Sequence, residues 1–434
     1  MAMNSLQQAA HDGVVELIKV RGSETRQAAL IGYAGTGKTY TVNQIRATLD
    51  ELGMAVLTAA PTNKAVRVLG QGITVHKALG LAVDSQGRER STSAGPQLEG
   101  IDLLIVDESS MVSRRMRDKI VAAACQAAVR CVLWVGDDAQ LPPVEDDGEV
   151  SPALRCQIQW RLTEIMRGRP DECGASLVGA AIRLAIEEGR QATIHDLLEL
   201  GPLPGVEFCQ HGHPPAWVDP LAAGLSTPAQ ILVSALAQGL DARAASYTNE
   251  ATTALADEVR RYFTGNDLPT VGETLSFNKP YLEFSDGFER VVYSTDEEVR
   301  VATVSDLKAG TVTGCEYVTV TLDGDNRKIR IPRSASDWLK CMRDVRNHRD
   351  TARAQGNVAL LDQCRDWLQE LMSMTDLRSV YSSTVHKLQG STVDLCVVDM
   401  HNIQRSIRRG DFETYNRMLY VAVTRPKLAL SVVY

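Results

Sequence analysis

The sequence predicts an α/β protein with parallel sheets, in which a β-rich and helical insertion interrupts the second of two α/β segments. Short apolar runs alternate with helical segments over the first 160 residues, and a second stretch of this kind begins near Arg161. Between Gly272 and about Arg333 the pattern changes to β-rich alternation with glycine turns. Alternating strands and helices are typical of doubly wound sheets that are covered on both faces.

The first sheet is predicted from four apolar runs rich in Val, Ile or Leu. They span residues 28–33, 55–60, 102–106 and 131–135. Their length and composition are typical of fully buried strands. A polar stretch between Gly80 and Gly100 is expected to form either a loop or a short hairpin that projects from this domain.

The second α/β segment is predicted to contain a strand at 230–235 and a helix at 248–262. Apolar residues in that helix recur at helical spacing: Ala251, Leu255, Val259 and Tyr262. The α/β pattern resumes with strands at 393–399 and 428–434. Between these parts we expect a small β-barrel at about 272–333 and charged helices at 336–377.

Composition limits the possible classes of protein. With 46 Lys and Arg against 54 Asp and Glu, the net charge of −8 excludes a uniformly basic coat protein but not a basic groove. Values of 44% hydrophobic and 23% charged residues are those of globular proteins. The 9 cysteines form no CxxC pair, which argues against structural zinc and for a reducing compartment. With no leader pattern and no apolar run of membrane-spanning length, the sequence predicts a soluble cytoplasmic protein.

A phosphate-binding loop is predicted at residues 32–39, where GYAGTGKT follows an apolar run and precedes a helical segment. Backbone N–H groups of such a loop and of the helix N-terminus converge on phosphates. Lys38 would neutralise the β- and γ-phosphates of ATP, and the Thr39 hydroxyl would bind Mg²⁺. The remaining predicted nucleotide-binding residues of this segment are Gly32, Gly35, Thr36, Gly37 and Tyr40. The alternative is a glycine-rich loop without a ligand.

Acidic and amide side chains follow the next predicted strands of the sheet. Asp107 is predicted to bind Mg²⁺, usually through water, and Glu108 to act as the base that polarises the attacking water. An acidic pair can also cap a helix or face solvent. Gln140 is predicted to contact the γ-phosphate or orient the water, and Asp137 to brace its loop.

Eight segments in order resemble the motif series of superfamily 1 helicases, most closely the 5′→3′ branch, superfamily 1B, which includes the RecD-like and Dda-like enzymes. They read GYAGTGKT, APTNKAVRVL, TVHKALG, IVDES, GDDAQLPPV, LTEIMRG, YSSTVHKLQGSTVD and YVAVTRPK. The resemblance implies a RecA-like domain 1A at 1–162 with a hairpin at about 81–100. It further implies a RecA-like domain 2A at 163–265 and 378–434, and an SH3-like domain 2B with a helical extension at 266–377.

The resemblance also assigns roles at the nucleotide site. Arg167 and Arg425 would reach the γ-phosphate from the second domain, and the alternative for each is a surface salt bridge. Gln7 would read the adenine edge, unless it belongs to a plain polar helix face. Gln389 and Gly390 would couple the DNA and nucleotide sites.

Further segments are assigned to single-stranded DNA by the same resemblance. They comprise Pro61, Thr62, Asn63 and Lys64, then Thr74, His76 and Lys77, then Thr384, His386 and Lys387. Short polar side chains beside lysine suit sugar and phosphate contacts without sequence reading. The three threonines could instead cap helices, and both histidines could satisfy backbone carbonyls. Tyr247 is predicted either to stack on a base or to pack in the core.

Two features of the insertions bear on duplex unwinding. The hairpin segment 81–100, which would split the duplex, contains no Phe, Tyr or Trp. On the helical insertion, Arg343, Arg346, Arg349 and Arg353 recur at a spacing that places them on one face. This face could contact DNA or protein, or could be solvated.

The sequence therefore predicts an ATP-dependent 5′→3′ DNA helicase that translocates on single-stranded DNA, uses ATP and Mg²⁺, and acts as a monomer. Its expected partners are single-stranded DNA and single-strand/duplex junctions, with a single-stranded-DNA-binding protein or replication and recombination proteins as further candidates. The alternative is a DNA-stimulated NTPase that translocates or remodels nucleoprotein complexes without unwinding. An RNA-directed motor is a third possibility, and the Dda likeness suggests a phage origin.

Overall fold

A computed structural model describes residues 3–20, 24–70, 72–83, 89–92, 95–146, 148–166, 174–285 and 288–434. The chain divides into two compact units. The first unit combines Met1–Thr252 with Ser383–Tyr434, and the second unit is Thr253–Ser382. Within the first unit we distinguish a first lobe, up to Leu162, from a second lobe formed by the remaining residues.

The first lobe contains a parallel sheet with the strand order β3-β2-β6-β7-β1-β8. Its elements are α1 (Ser5–Lys19), β1 (Arg26–Gly32), α2 (Lys38–Glu51), β2 (Val56–Ala60), α3 (Asn63–Leu69), β3 (Ile73–Thr74), α4 (Val75–Ala78), β4 (Leu81–Val83), β5 (Glu89–Ser91), β6 (Leu103–Val106), α5 (Arg114–Gln126), β7 (Cys131–Gly136) and β8 (Ile158–Leu162). Strands β4 and β5 form a separate antiparallel hairpin.

Both faces of the first sheet are buried. Successive residues of a strand point to opposite faces, and each face packs in a core cluster of its own. In β7, Leu133 and Val135 pack in one core cluster with α1 and α2. Val132 and Trp134 pack in the other cluster with α5. This two-sided burial explains why the strands read as continuous apolar runs. It places the carboxyl ends of β1, β6 and β7 along one edge.

The second lobe contains a sheet with the order β19-β10-β20-β21-β9, in which the β10–β20, β20–β21 and β21–β9 pairs are parallel. Its elements are α6 (Ala175–Glu187), α7 (Ile194–Leu198), β9 (Val206–Cys209), α8 (Thr227–Ala237), β10 (Ala242–Ser246), α9 (Asn249–Thr264, which continues into the second unit), and, after the insertion, β19 (Ser382–Thr384), α12 (Val385–Leu388), β20 (Val393–Asp399), α13 (Met400–Ser406), α14 (Phe412–Val423) and β21 (Pro426–Val433).

The second unit contains an antiparallel sheet with the order β15-β16-β14-β11-β18, to which β17 adds beside β16, together with a β12–β13 pair. Its further elements are β11 (Thr274–Phe277), β12 (Tyr281–Ser285), β13 (Phe288–Tyr293), β14 (Glu298–Val304), β15 (Lys308–Ala309), β16 (Glu316–Leu322), β17 (Asp325–Pro332), α10 (Ala335–Gln355), α11 (Val358–Met372) and β18 (Leu377–Ser379). The fold class is confirmed: two parallel α/β sheets with an antiparallel insertion.

One detail of the predicted second segment is wrong. Residues 230–235 belong to helix α8, not to a strand. This helix is buried from Thr227 to Ala235, so its apolar residues are continuous and show no helical periodicity. Strand β8, which ends at Leu162, pairs with β1 in the first sheet, so the second lobe follows it.

In the described part of the chain, no helix is both long and apolar enough to cross a bilayer. The cysteines described there are all free thiols.

Candidate nucleotide and nucleic-acid site

The phosphate loop joins β1 to α2, as the motif predicts. Gly35 and Gly37 both adopt left-handed backbone conformations, with φ of 81° and 82°. The Lys38 ammonium donates hydrogen bonds to the carbonyl oxygens of Gly32 (2.7 Å) and Tyr33 (2.9 Å). The lysine is therefore held at the mouth of the loop, at the positive N-terminal end of α2.

Gln7 joins helix α1 to the phosphate loop. Its side chain is buried, and its Nε2 donates to the Thr36 carbonyl oxygen at 3.0 Å. Its Oε1 accepts from the Asn4 backbone N–H at 3.1 Å, which completes a capping box at the start of α1. Gln7 is therefore not part of a plain polar helix face. Its amide still has one N–H and one lone pair for a nucleobase edge.

The acidic pair follows β6 at the edge where β1 and β7 also end. Asp107 Oδ1 accepts from the Glu108 backbone N–H at 2.8 Å, and Glu108 itself has a left-handed backbone with φ of 51°. Burial, reinforced by the neighbouring Glu108 charge, raises the pKa of Asp107 to about 7. A nearby cation such as Lys38 favours the charged form of this carboxylate.

The loop after β7 lies between the lobes. Gln140 is buried, and its Oε1 accepts from Gln389 Nε2 of the second lobe at 3.1 Å. Arg417 of α14 donates to the carbonyl oxygens of Asp138 (2.5 Å) and Gln140 (3.0 Å). Asp137 is fully buried and accepts from the Ala139 backbone N–H, which agrees with its predicted bracing role.

Arg425 and Gly390 bring the second lobe to the same place. Arg425 is buried, and its Nε donates to the Val421 carbonyl oxygen at 2.8 Å. Burial lowers its pKa, while the Glu108 charge opposes that effect. Gly390 has a φ of 72°, and a Cβ there would lie 4.0 Å from both Ala65 Cβ and Glu108 Oε1. Arg425 is thus not in a surface salt bridge.

Residues of both lobes line one cavity of about 340 Å³. Predicted residues at its wall are Gln7, Gly35, Gly37, Lys38, Thr39, Tyr40, Asp107, Glu108, Gln140, Gly390 and Arg425. Gly32, Thr36 and Gln389 support the wall from behind through hydrogen bonds. Arg167, the other predicted arginine, lies outside the described residues.

Sequence reasoning missed several residues of this cavity. Met166 lines it, and its N–H donates to the Gly35 carbonyl oxygen at 2.7 Å. Ser391, Thr392 and Thr424 line its second-lobe side. Ser391 and Thr392 directly follow the LQG segment, and Thr424 directly precedes Arg425. Adjacency to these motifs is the signal that could have indicated them.

Two of the three threonines assigned to DNA cap short helices. Thr62 accepts from the Ala65 N–H at the start of α3, and Thr74 accepts from the Lys77 N–H at the start of α4, both at 3.2 Å. Thr384 precedes α12 without a side-chain cap hydrogen bond. The capping alternative therefore applies to Thr62 and Thr74, although a hydroxyl that accepts from the backbone can still donate to a phosphate.

The lysine-bearing loops of the two lobes meet. Lys64 Nζ donates to the Lys387 carbonyl oxygen at 3.2 Å. Pro61 and Asn63 flank this contact in sequence and are half-buried, whereas Lys77 and His386 are exposed. His76 lies 3.6 Å from Glu89 of the β4–β5 hairpin, so it faces a carboxylate and not a backbone carbonyl. Tyr247 is half-buried and packs against the second-lobe core.

The structure also locates the hairpin segment and the four arginines of the helical insertion. Within segment 81–100, Leu81–Val83 pairs with Glu89–Ser91 as the β4–β5 hairpin, and residues 84–88 lie outside the described residues. On α10, Arg343, Arg346 and Arg353 are exposed, and Arg349 pairs with Asp350.

Comparison with known proteins agrees with this geometry. Residues 6–203 match the family model of the AAA domain. The ATP-dependent RecD2 DNA helicase of Deinococcus radiodurans is 36% identical over 148 residues, which cover 33% of this chain and 20% of RecD2. A probable conjugal transfer protein TraA of Sinorhizobium fredii is 33% identical over 160 residues, covering 36% of this chain and 14% of that protein. The chain thus spans a small share of either relative.

Two solved structures share the fold over nearly the full chain. Bacteroides Pif1 bound to single-stranded DNA has a TM-score of 0.52, at 16% identity, and covers 99% of this chain and 92% of that one. Bacteroides Pif1 helicase in complex with ADP-AlF3 and single-stranded DNA has a TM-score of 0.50, at the same identity and coverage.

Fold, cavity and motifs are those of a P-loop protein with two RecA-like parallel sheets. Residues 6–203 are similar to the AAA domain, a 148-residue stretch is similar to RecD2, and the fold of the chain is similar to that of Bacteroides Pif1.

Proposed function

We propose that the protein is an ATP-dependent DNA helicase that moves 5′→3′ along single-stranded DNA. The observation that carries this proposal is the shared cavity. Lys38, Thr39, Asp107 and Glu108 line it from the first lobe, and Arg425 lines it from the second. A nucleotide bound there contacts both lobes, so its hydrolysis can change how they are held together.

The donor set fits Mg²⁺-ATP. Gly35 and Gly37 leave the loop backbone open for phosphate, and Lys38 lies at the N-terminus of α2. Thr39 and Asp107 are the hydroxyl and carboxylate oxygens that would hold Mg²⁺, which would neutralise phosphate charge. Glu108 is the base that would polarise the attacking water, and Gln140 would orient it.

Arg425 completes the site from the second lobe. Its guanidinium is held by the carbonyl oxygens of Val421 and Ser391, so its position follows that of α14 and of the segment after α12. A cation that reaches the γ-phosphate only in the closed arrangement lowers the barrier only then. This makes hydrolysis depend on lobe closure. Arg167 keeps its place as a second candidate for this role.

The DNA-contacting surface is proposed from the loops that carry Lys64, Lys77 and Lys387. Lys64 and Lys387 lie at a contact between the lobes, so relative movement of the lobes would change the spacing of their phosphate grips. The same loops supply the further proposed DNA contacts, which are Pro61, Thr62, Asn63, Thr74, His76, Thr384 and His386. Tyr247 is proposed to stack on a base. Single-strand/duplex junctions are the proposed substrates of a cytoplasmic monomer, and single-stranded-DNA-binding or replication and recombination proteins its proposed partners.

A second function is favoured by one specific observation. The hairpin segment 81–100 contains no aromatic residue that could stack at a duplex end. A DNA-stimulated translocase that displaces bound proteins without unwinding would need no such residue.

ATPase and unwinding assays distinguish the helicase from the translocase. We expect single-stranded DNA to stimulate ATP hydrolysis, and a duplex with a 5′ overhang to be unwound faster than one with a 3′ overhang. Stimulation without unwinding of either duplex would support the translocase. Preference for the 3′ overhang would contradict the polarity, and no stimulation by DNA would exclude both functions.

The nucleotide site is tested by Lys38→Ala, with Lys19→Ala as a matched control because Lys19 is an exposed lysine of α1. Loss of Lys38 should reduce turnover by about a hundredfold or more, since it removes the charge at the phosphates. The control should retain full turnover. Equal turnover in both variants would contradict the assignment.

A further inference from the structure

The hydroxyl group of Tyr420 links the two lobes at the phosphate loop. Tyr420 lies on α14 of the second lobe and is 2% exposed. Its hydroxyl oxygen accepts from the Ala34 backbone N–H of the phosphate loop at 3.2 Å. The same hydroxyl donates to Asp137 Oδ2 at 2.7 Å. One side chain thus contacts two loops that end adjacent strands, β1 and β7.

Arg183 links the same two loops from a different helix. It lies on α6 of the second lobe and is 5% exposed. Its Nη1 donates to Asp137 Oδ1 at 2.8 Å, and its Nη2 to Asp138 Oδ1 at 2.5 Å. Its guanidinium also lies over the Tyr33 ring of the phosphate loop, 3.8 Å from the ring centre, at a distance typical of a cation–π contact.

The two links share one carboxylate. Asp137 is fully buried and receives Tyr420 on one oxygen and Arg183 on the other. A buried carboxylate without such donors is strongly unfavourable, so both donors must move together with the Asp137 loop. Burial, with the Asp137 charge, raises the pKa of Tyr420 well above its usual value, so the phenol keeps the proton it donates.

We propose that Tyr420 and Arg183 are positioning residues that transmit closure of the second lobe to the phosphate loop, and thereby set the rate of hydrolysis. Arg425 lies five residues after Tyr420, and Lys38 four after Ala34. The link therefore fixes the spacing between the arginine-bearing and lysine-bearing walls of the cavity. This inference rests on the proposed ATPase function and assigns residues outside the groups that would touch nucleotide.

The test is Tyr420→Phe, which keeps the ring and removes both hydrogen bonds. Tyr415→Phe is the matched control: it is the same substitution on the same buried helix, and the Tyr415 hydroxyl has no hydrogen bond to the residues that the structure describes. Steady-state kcat and KM for ATP, with and without a single-stranded oligonucleotide, are the readouts, with the thermal midpoint as a check on folding.

For Tyr420→Phe we expect kcat to fall about tenfold, the kinetic equivalent of one charge-assisted hydrogen bond, with KM changed little. Tyr415→Phe should keep kcat within about twofold. A merely structural role of Tyr420 would lower the thermal midpoint of Tyr420→Phe and leave its kcat per folded molecule unchanged. Equal kcat in the two variants would overturn the proposal.

Arg183→Lys is the second variant, because lysine keeps the charge but loses the paired hydrogen bonds and the stacking. It should also lower kcat about tenfold, and the double variant should lose much less than the product of the two losses, since both act through Asp137. Multiplying losses would overturn the shared link. If DNA stimulates no variant, wild type included, the helicase proposal fails, and the positioning role is then decided by kcat without DNA.

Discussion

Gly37 joins the phosphate loop to α2 in a backbone conformation that L-residues rarely adopt. Its φ is 82°, and a Cβ at this position would lie 2.5 Å from Gln7 Nε2. An alanine would therefore be strained and would also displace the Gln7 amide from the Thr36 carbonyl oxygen. Gly53, just after the other end of α2, has a φ of 69° but no heavy atom within 4 Å of its Cβ position.

This pair gives a prediction. Gly53→Ala should lower the free energy of unfolding by about 1 kcal/mol through backbone strain alone. Gly37→Ala should cost more and should weaken nucleotide binding, measured with a fluorescent ATP analogue, by about tenfold or more because the phosphate loop is distorted. Equal affinity in both variants would show that Gln7 and the loop tolerate the displacement.

Asp107 gives a prediction about pH. Its pKa rises from 3.8 to about 7 in the folded protein, so between these values the folded state binds a proton that the unfolded state has released. Ionisation of Asp107 therefore lowers the free energy of unfolding as the pH rises through that window. Asp107→Asn should gain thermal stability over wild type at pH 8 and gain less at pH 5, in buffer without divalent cations. The same difference at both pH values would contradict the shift.

At the scale of elements, an ion pair joins α9 to Glu273, the residue directly before β11, in the second unit. Arg260 donates to Glu273 Oε1 from Nε and Nη2, at 3.1 and 3.0 Å, and the Glu273 side chain is fully buried. Arg260→Leu would leave that carboxylate unpaired. The unit should lose about 3–5 kcal/mol of stability, measured by denaturant unfolding.

An exposed pair on α11 serves as the control. The side chains of Arg365 and Asp362 are 72% and 60% exposed. Arg365→Leu should change stability by less than about 0.5 kcal/mol. The double variant Arg260→Leu with Glu273→Leu removes both charges and leaves no unpaired buried carboxylate. It should therefore recover most of the lost stability. A loss as large in the double variant would show that the helix packing, and not the charge pair, was disturbed.

The elements also show where sequence reasoning reaches its limit. Strands β1, β2, β6 and β7 were predictable because each apolar run has strand length and ends at a polar motif. Helix α8 was not, because burial on all sides removes the periodicity that separates helices from strands. The Ser226-Thr227-Pro228 sequence, typical of a helix start, was the available signal.

At the site, the motif residues were predictable and their partners were not. Lys38 and Asp107 stand in short local patterns, whereas Arg183 meets Asp137 across 46 positions of sequence. Tyr420 is adjacent to a recognised motif, yet its contact with Ala34 depends on how two separate sheets face each other. Single-sequence patterns carry no information about such contacts.

For the whole molecule, the net charge of −8 makes DNA binding depend on a few local cations. Binding of single-stranded DNA should weaken with salt, and each phosphate contact should contribute a slope of about −0.7 in a plot of log affinity against log salt. Lys77→Ala should make that slope shallower by about this amount. Lys19→Ala should leave it unchanged, because Lys19 belongs to none of the proposed grips. An unchanged slope in both would place the DNA elsewhere.

Strand β21 has a consequence for how the protein is made. It lies inside the second sheet, between β20 and β9, and it directly follows Arg425. During translation the whole first lobe, with its phosphate loop, leaves the ribosome long before this strand exists. A nascent chain can therefore build the phosphate cradle while the second sheet still lacks an interior strand. Under the proposed function, hydrolysis that depends on Arg425 is expected only after synthesis has passed β21.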